Sequence, residues 1–506
     1  MDRRNFIKTG GIALAGAMVI PSCVGNLMHE GSLSTVANAM RHFGVSNTDL
    51  RRVMTAGLER GGDYVDLFFE HTFSNSVGLQ DGAVNRAGSN VDFGMGVRVL
   101  SGDQSGYAFV ENITLEEMLR AARTAAQIAN SGAKVAPVAL TERPIKDNFY
   151  PVLKPWEEVA VSNKMPYVQR LNDKIMSLDP RVQRVTVGLN DTTSHILFCN
   201  SDGVTYYDYR PMVTLNSTCV MVEDGQTQTG RSSRGFRKGF EFLTDDIIDL
   251  MALETVESGD ILFRAIIPRG GSMPVVLGSG ASGIFLHEAI GHAFEADFIR
   301  TNTSIYSDML GKKIANEHVT VVDNPTVAFN RGSLNIDDEG VYGQNTTIVE
   351  NGILTSFLHD RISAKHFDIE PTGHGRRQSF RFIPIPRMTV TYMHDGNMPE
   401  ADIIASVDRG IFVDSFTNGQ VQIGAGDFTF FVRSGYMIEN GRLTTPIKDV
   451  NIIGNGPRAM ADITMVGNNN KIDNGTWTCG KAGQGVPAGM GQPSALVSSL
   501  TVGGSS

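Results

Sequence analysis

The chain has 506 residues, 41% of them apolar and 19% charged, and a formal net charge of -10. That length allows two or three domains, and an acidic balance without a basic stripe argues against direct nucleic-acid binding. Four cysteines, Cys23, Cys199, Cys219 and Cys479, are too few for a disulfide framework in a chain this long.

The first predicted element is an address. Arg3 and Arg4 precede Phe6-Ile7-Lys8 and a Gly/Ala-rich apolar run from Gly10 to Ile20. This is the layout of a twin-arginine signal peptide over residues 1–25. Ile20-Pro21-Ser22-Cys23 resembles a lipoprotein cleavage box, with Pro21 off-pattern, which makes Cys23 a candidate lipid anchor. The expectation is export to the periplasm. No later segment reaches the ~18 uninterrupted apolar residues of a membrane helix.

Residues 26–150 read as an α+β domain. A helix from Thr48 to Arg60 ends at Gly61-Gly62, and strands follow at 64–71 and 76–80 with a hairpin turn at Asp81-Gly82. A second strand pair covers 93–100 and 106–110, and Thr114 and Glu117 form a capping box that opens a helix from Leu115 to Ala129. After a linker carrying Pro144, Pro151 and Pro155, the same order recurs over residues 151–265: a helix at 163–178, strands from Val182 to about Gly239, and a helix at 244–263. The order suggests a duplication, but the residues do not repeat well enough to establish one. Residues 266–506 begin with a strand at 274–277 and run mostly as strands and Gly-rich turns beyond Glu317. Cys199 and Cys219 are expected as two buried thiols, with a disulfide as the alternative.

The chemistry-bearing stretch lies inside Gly280 to Arg300, which reads as a single helix with an apolar face. Within it, His287-Glu288-Ala289-Ile290-Gly291-His292 places two histidines at i and i+5. Zinc peptidases more often use i and i+4, which puts both imidazoles on one face. In a regular helix His287 and His292 would diverge by about 140°. They can share a metal only across a widened or broken turn, which Gly291 would permit at low steric cost. The alternative is a pair of hydrogen-bonded core histidines. Cys479, in the Gly-rich stretch 475–487, is the favoured third ligand, because a cysteine there is hard to explain as core. Glu295, three residues after His292, is the main rival. Asp297 and His374 are weaker ones, expected as a surface carboxylate and a loop hydrogen-bonder.

The run HEAIGHAFEADFIR and the segments RGSLNIDDEGVYGQ, PTGHGRRQSF and GQVQIGAGDFTF resemble the TldD/PmbA metalloprotease family, as does the terminal MVGNNNKIDNGTWTCGKAGQGVP. The resemblance implies His287, His292 and Cys479 as zinc ligands and Glu288 as the catalytic glutamate. It also implies small or unfolded peptides as substrates, bound as an extended strand in a closed assembly. The implied partner is a TldE-like homologue lacking the ligands, or a second copy. Better-known members are cytosolic, so the export signal is a departure.

The chemistry is self-consistent. Three protein ligands leave a fourth position on zinc for water, and a glutamate beside a ligand can act as general base. Arg376 and Arg377 are candidate donors to a bound peptide, with satisfaction of buried loop carbonyls as the alternative. Gln420, in the alternating stretch 419–430, is a candidate on a substrate-binding edge, with an ordinary core strand as the alternative. The runner-up function is a non-catalytic peptide-binding or scaffold subunit.

Overall fold

The computed structural model describes residues 35–130 and 135–504, so the signal-peptide segment and Cys23 lie outside the described residues. The fold is α+β, as the sequence predicts.

Two short helices come first, Val36–Phe43 and Asn47–Leu58, the second opened by a capping box between Ser46 and Asp49. Then come β1 (Tyr64–Gln80), β2 (Ala83–Ser101) and β3 (Gln104–Val110). A helix over Leu115–Ala125, capped by Thr114, continues as a 3₁₀ turn through Ile128. After β4 (Thr141–Glu142), the second segment contributes the helix Val161–Leu178, β5 (Val182–Asn200), β6 (Val204–Glu223), β7 (Gln226–Phe236) and the helix Asp245–Phe263. β1 and β5 pair antiparallel from Asp66 with Asn200 to Gln80 with Thr186. One sheet, ordered β3-β2-β1-β5-β6-β7, therefore runs through both segments. Its order mirrors about the β1–β5 seam, which matches the recurring element order of the sequence. Two cores form, one around Leu67, Val97 and Met118, the other around Leu171, Val185 and Met251. Each shares residues across the seam: Leu197 and Cys199 join the first, Val77 and Leu79 the second. Cys199 and Cys219 are free and buried, one in each core.

β2 is longer than the strand expected at 93–100. Its first part, from Ala83 to Asp92, is largely exposed and lacks apolar alternation, so only pairing with β1 reveals it as strand.

The last segment builds a closed barrel. β8 (Gly271–Leu277) lies between the strands Arg409–Gln422 and Ala495–Gly503. The strand 495–503 pairs with Val450–Asn455, which pairs with Asp427–Glu439, which returns to 409–422. Beside the barrel stands a sheet whose centre is Val321–Asp323, Val390–Met393 and Gly489–Gln492. The segment from Ile284 to Phe294 is buried between them, with Phe285, Ile290 and Phe294 packed among Leu277, Val321, Met388 and Phe430. Burying that apolar surface is the main force holding the segment in place.

Buried ion pairs tie the last segment to the sheet. Arg98 Nη1 lies 2.6 Å from Glu339, and Arg98 Nη2 lies 2.5 Å from Asp66. Arg210 bridges Asp208 and Asp338 at 2.7 and 2.6 Å. Such charges are tolerated because each is paired, and removing one partner would leave the other stranded.

Candidate metal centre

The stretch 280–300 is not the single helix its periodicity suggests. A 3₁₀ turn at 281–283 and an α-turn at 284–286 lead into a π-helical turn, His287–Gly291, whose closing bond runs from the His292 N–H to the His287 carbonyl. After a further turn at 292–294 the chain breaks at Glu295, which is extended at φ -69° and ψ 121°, and a separate helix covers Ala296–Arg300. The apolar positions are buried on both sides of the break, so hydrophobic spacing alone could not locate it.

The widened turn does what the i, i+5 spacing demands. The His287 and His292 ring centroids lie 5.0 Å apart. Gly291 helps by a different route from the one expected. Its backbone is ordinary right-handed helix, φ -56° and ψ -52°, so conformational freedom is not what it supplies. It supplies space, because a Cβ there would sit 2.2 Å from Met388 Sδ.

Cys479 arrives from a hairpin of Thr478–Lys481 and Gln484–Pro487. Its Sγ lies 3.4 Å from His292 Nε2, and one donor atom from each of His287, His292 and Cys479 falls within 4.8 Å of the others. All three side chains are buried. Burial would push the Cys479 thiol up, but the His287 and His292 imidazoles hold it well below the usual thiol range. His287 Nδ1 is buried with no hydrogen-bond partner among the described residues. A low-pKa thiol, two facing imidazoles and an unpartnered buried nitrogen fit a metal better than a self-satisfied core cluster. The donor set, two nitrogens and one sulfur, suits zinc and leaves a coordination position open.

Glu288 is half-buried between the histidines. Burial pushes its carboxyl up from the usual range, while His287 and His292 pull it back. Across from it runs the strand 409–422. A Cβ on Gly419 would lie 2.4 Å from the Phe430 ring and 3.3 Å from Glu288 Cγ, so the glycine lets the strand pack over Phe430 where it passes Glu288. The ladder from 409–422 to β8 covers only Ile411 to Val413. Gln420, exposed on that strand, lines a cavity of 590 Å³ with Val421, Phe428, Ile453 and Arg458.

The other sequence candidates fall elsewhere. Glu295 is fully buried, with Oε2 3.0 Å from His292 Nδ1, so it stands behind a histidine and not among the three donors. Asp297 pairs with Lys481 at 2.7 Å. His374 is buried with Nε2 3.0 Å from Asp323 and Nδ1 2.8 Å from Thr372. Arg376 donates to the carbonyls of Met388 and Pro487, and Arg377 to the Asp338 carbonyl and the Asp66 carboxylate. Both guanidinium groups are buried and engaged within the protein, the loop-holding arrangement that was their alternative. Lys481 and Arg387 were not singled out. Lys481 was within reach of the sequence, since strand alternation sets residues 479 and 481 on one side.

Comparison with known proteins places this geometry in context. Residues 270–504 match the family described as the PmbA/TldA metallopeptidase C-terminal domain, residues 65–129 its domain 1 and residues 154–259 its central domain. A metalloprotease TldD homolog from Buchnera aphidicola subsp. Acyrthosiphon pisum is 38% identical over 449 residues, 87% of this chain and 93% of the relative. A metalloprotease TldD homolog from Haemophilus influenzae is 35% identical, over 91% of this chain and 97% of the relative. Among solved structures, a putative modulator of a DNA gyrase from Thermotoga maritima superposes with a TM-score of 0.73 at 21% identity, covering 90% of this chain and 100% of that one. TldE from Thermococcus kodakarensis gives 0.69 at 18% identity, over 90% and 100% of the two chains, and at such identities the likeness concerns the fold.

Proposed function

We propose that this chain, which belongs to the PmbA/TldD metallopeptidase family, is a zinc-dependent peptidase acting on small or unfolded peptides with Glu288 as general base. The observation that carries the reading is the π-turn, which gathers the donors of His287, His292 and Cys479 within 4.8 Å and leaves Glu288 beside them. Zinc held by these three residues would supply the Lewis acidity that polarises a scissile carbonyl and acidifies a nearby water. Glu288 takes that water's proton and returns it to the leaving nitrogen. The Cys479 thiolate donates more charge than a third imidazole would, so zinc held here would be a moderate Lewis acid.

An extended peptide fits the surroundings. The strand 409–422 passes Glu288 at Gly419, which supports an extended peptide lying alongside it. The working unit is a dimer, with a second copy or a TldE-like subunit. The long outer stretch of β2, where Val84 and Val91 are exposed, supports such an assembly. Arg3 and Arg4 with the apolar run after them support delivery to the periplasm by the twin-arginine route, with Cys23 as an anchor.

Glu288→Gln tests the chemistry, because it keeps size and shape but removes basicity. Hydrolysis of an unfolded peptide should fall ~10²–10⁴-fold with zinc content and peptide binding unchanged. Near wild-type cleavage with zinc retained would mean that Glu288 is not the base.

A further inference from the structure

We infer that Glu295 is a positioning residue that fixes the ligating face of His292 and ties it to the hairpin carrying Cys479. This rests on the metal reading above. An imidazole that ligates through Nε2 must carry its proton on Nδ1, and an acceptor there sets both tautomer and ring rotation. His292 has that division of labour: Nε2 faces Cys479 Sγ at 3.4 Å, and Nδ1 faces Glu295 Oε2 at 3.0 Å. Among the described residues Nδ1 of His287 has no such partner, so there the two histidines are not held alike.

Glu295 can reach back because the chain leaves the turn at that residue, and its extended backbone ends the helix the apolar pattern would continue. The carboxylate is then gripped from the other side. Lys481 Nζ lies 3.1 Å from the same Oε2, and also 2.7 Å from Asp297 Oδ1 and 3.1 Å from the Pro386 carbonyl. Arg387, fully buried with Nε 3.8 Å from Glu295 Oε1, donates through Nη2 to the Cys479 carbonyl. Lys481 thus holds the carboxylate while Arg387 stands near its other oxygen, and both also belong to or bind the 478–487 hairpin. His292 and Cys479 are set against each other through Glu295.

A buried carboxylate could serve only as the counter-charge of Lys481, and the experiment must separate that role from positioning. Two double variants of the full chain remove the buried charge pair equally. Glu295→Gln with Lys481→Met keeps an acceptor for His292 Nδ1–H, and Glu295→Leu with Lys481→Met does not. Zinc affinity is read by competition with a chromophoric chelator, and ligand geometry from the visible bands of the cobalt-substituted proteins. The Gln/Met pair keeps the acceptor but loses the Lys481 tie, so it serves as the reference for zinc affinity in place of wild type. The Leu/Met pair should bind 10–100-fold more weakly with shifted cobalt bands. Equal affinity and equal spectra in the two pairs overturn the inference. Failure of the wild-type chain to bind zinc overturns the metal reading instead. A second measurement needs no variant: in the zinc-loaded wild type, ¹⁵N-histidine labelling should show an exchange-protected His292 Nδ1–H, and its absence also overturns the inference.

Discussion

Cys479 Sγ and His292 Nε2 stand 3.4 Å apart although 187 positions of sequence separate them. One lies in a hairpin and the other at the exit of a π-turn, and neither element alone makes a site. Wild type should hold about one zinc per chain, and Cys479→Ala should therefore remove most of it. Metal analysis of the two purified proteins checks this. Wild-type stoichiometry in the variant would exclude Cys479 as a ligand.

Gly291 is predicted to matter through packing. Gly291→Ala sets a Cβ 2.2 Å from Met388 Sδ, so the buried Met388 side chain must move aside within the core, which should cost about 1–3 kcal/mol. Denaturant unfolding of the metal-free protein measures it, and adding Met388→Ala should recover part of the loss. If the single substitution is neutral, the turn has room that its packing does not suggest.

Acid should weaken the first segment through a histidine pair. His42 Nε2 lies 2.7 Å from His71 Nδ1, with the His195 ring 5.5 Å from that of His42 and His195 itself held by Glu157 and Tyr207. Burial first, then the neighbouring imidazoles, lower His42 to about 4 and His71 to about 3 from 6.5. Between 6.5 and those values the unfolded chain binds more protons than the folded one, so stability falls as pH drops through that window. Melting temperatures from pH 7 to 4 should show the decline, and His71→Phe, beside Phe73 and Phe93, should flatten it. An unchanged slope in the variant would assign the acid sensitivity elsewhere.

Export is tested in cells. Arg3→Lys with Arg4→Lys should leave precursor in the cytoplasm, because the twin-arginine receptor reads both guanidinium groups. Fractionation followed by immunoblotting gives the answer, and undiminished delivery would refute the route.

Much of the candidate site was legible because spacing carries geometry. Histidines at i and i+5 can converge only across a distorted turn, so His287 and His292 forecast the π-turn that is present. The break at Glu295 was hidden because Ala296 and Ile299 continue the apolar spacing, and a buried helix and a buried turn bury the same residues. Glu295 looked like a ligand for the reason that makes it a neighbour of one: a carboxylate three residues after a histidine reaches either the metal or the far ring nitrogen. Arg376 and Arg377 show the limit for charged loops, since a guanidinium awaiting a peptide and one holding Met388 or Asp338 carbonyls have the same sequence. The outer half of β2 was unreadable because its partner, and not its own pattern, makes it a strand.

The seam between β1 and β5 also has a consequence for synthesis. β1 ends at Gln80, and the strand that covers its second edge spans Val182–Asn200. A ribosome adding roughly 5–20 residues per second therefore leaves the nascent β1–β2 hairpin with a bare edge for on the order of 5–25 seconds. A strand of 17 residues with unpaired amides is a template for whatever chain is nearest. Crowded polysomes making this protein should depend on a chaperone for that interval, and slowing translation between codons 81 and 182 should lengthen the exposure and lower the soluble yield.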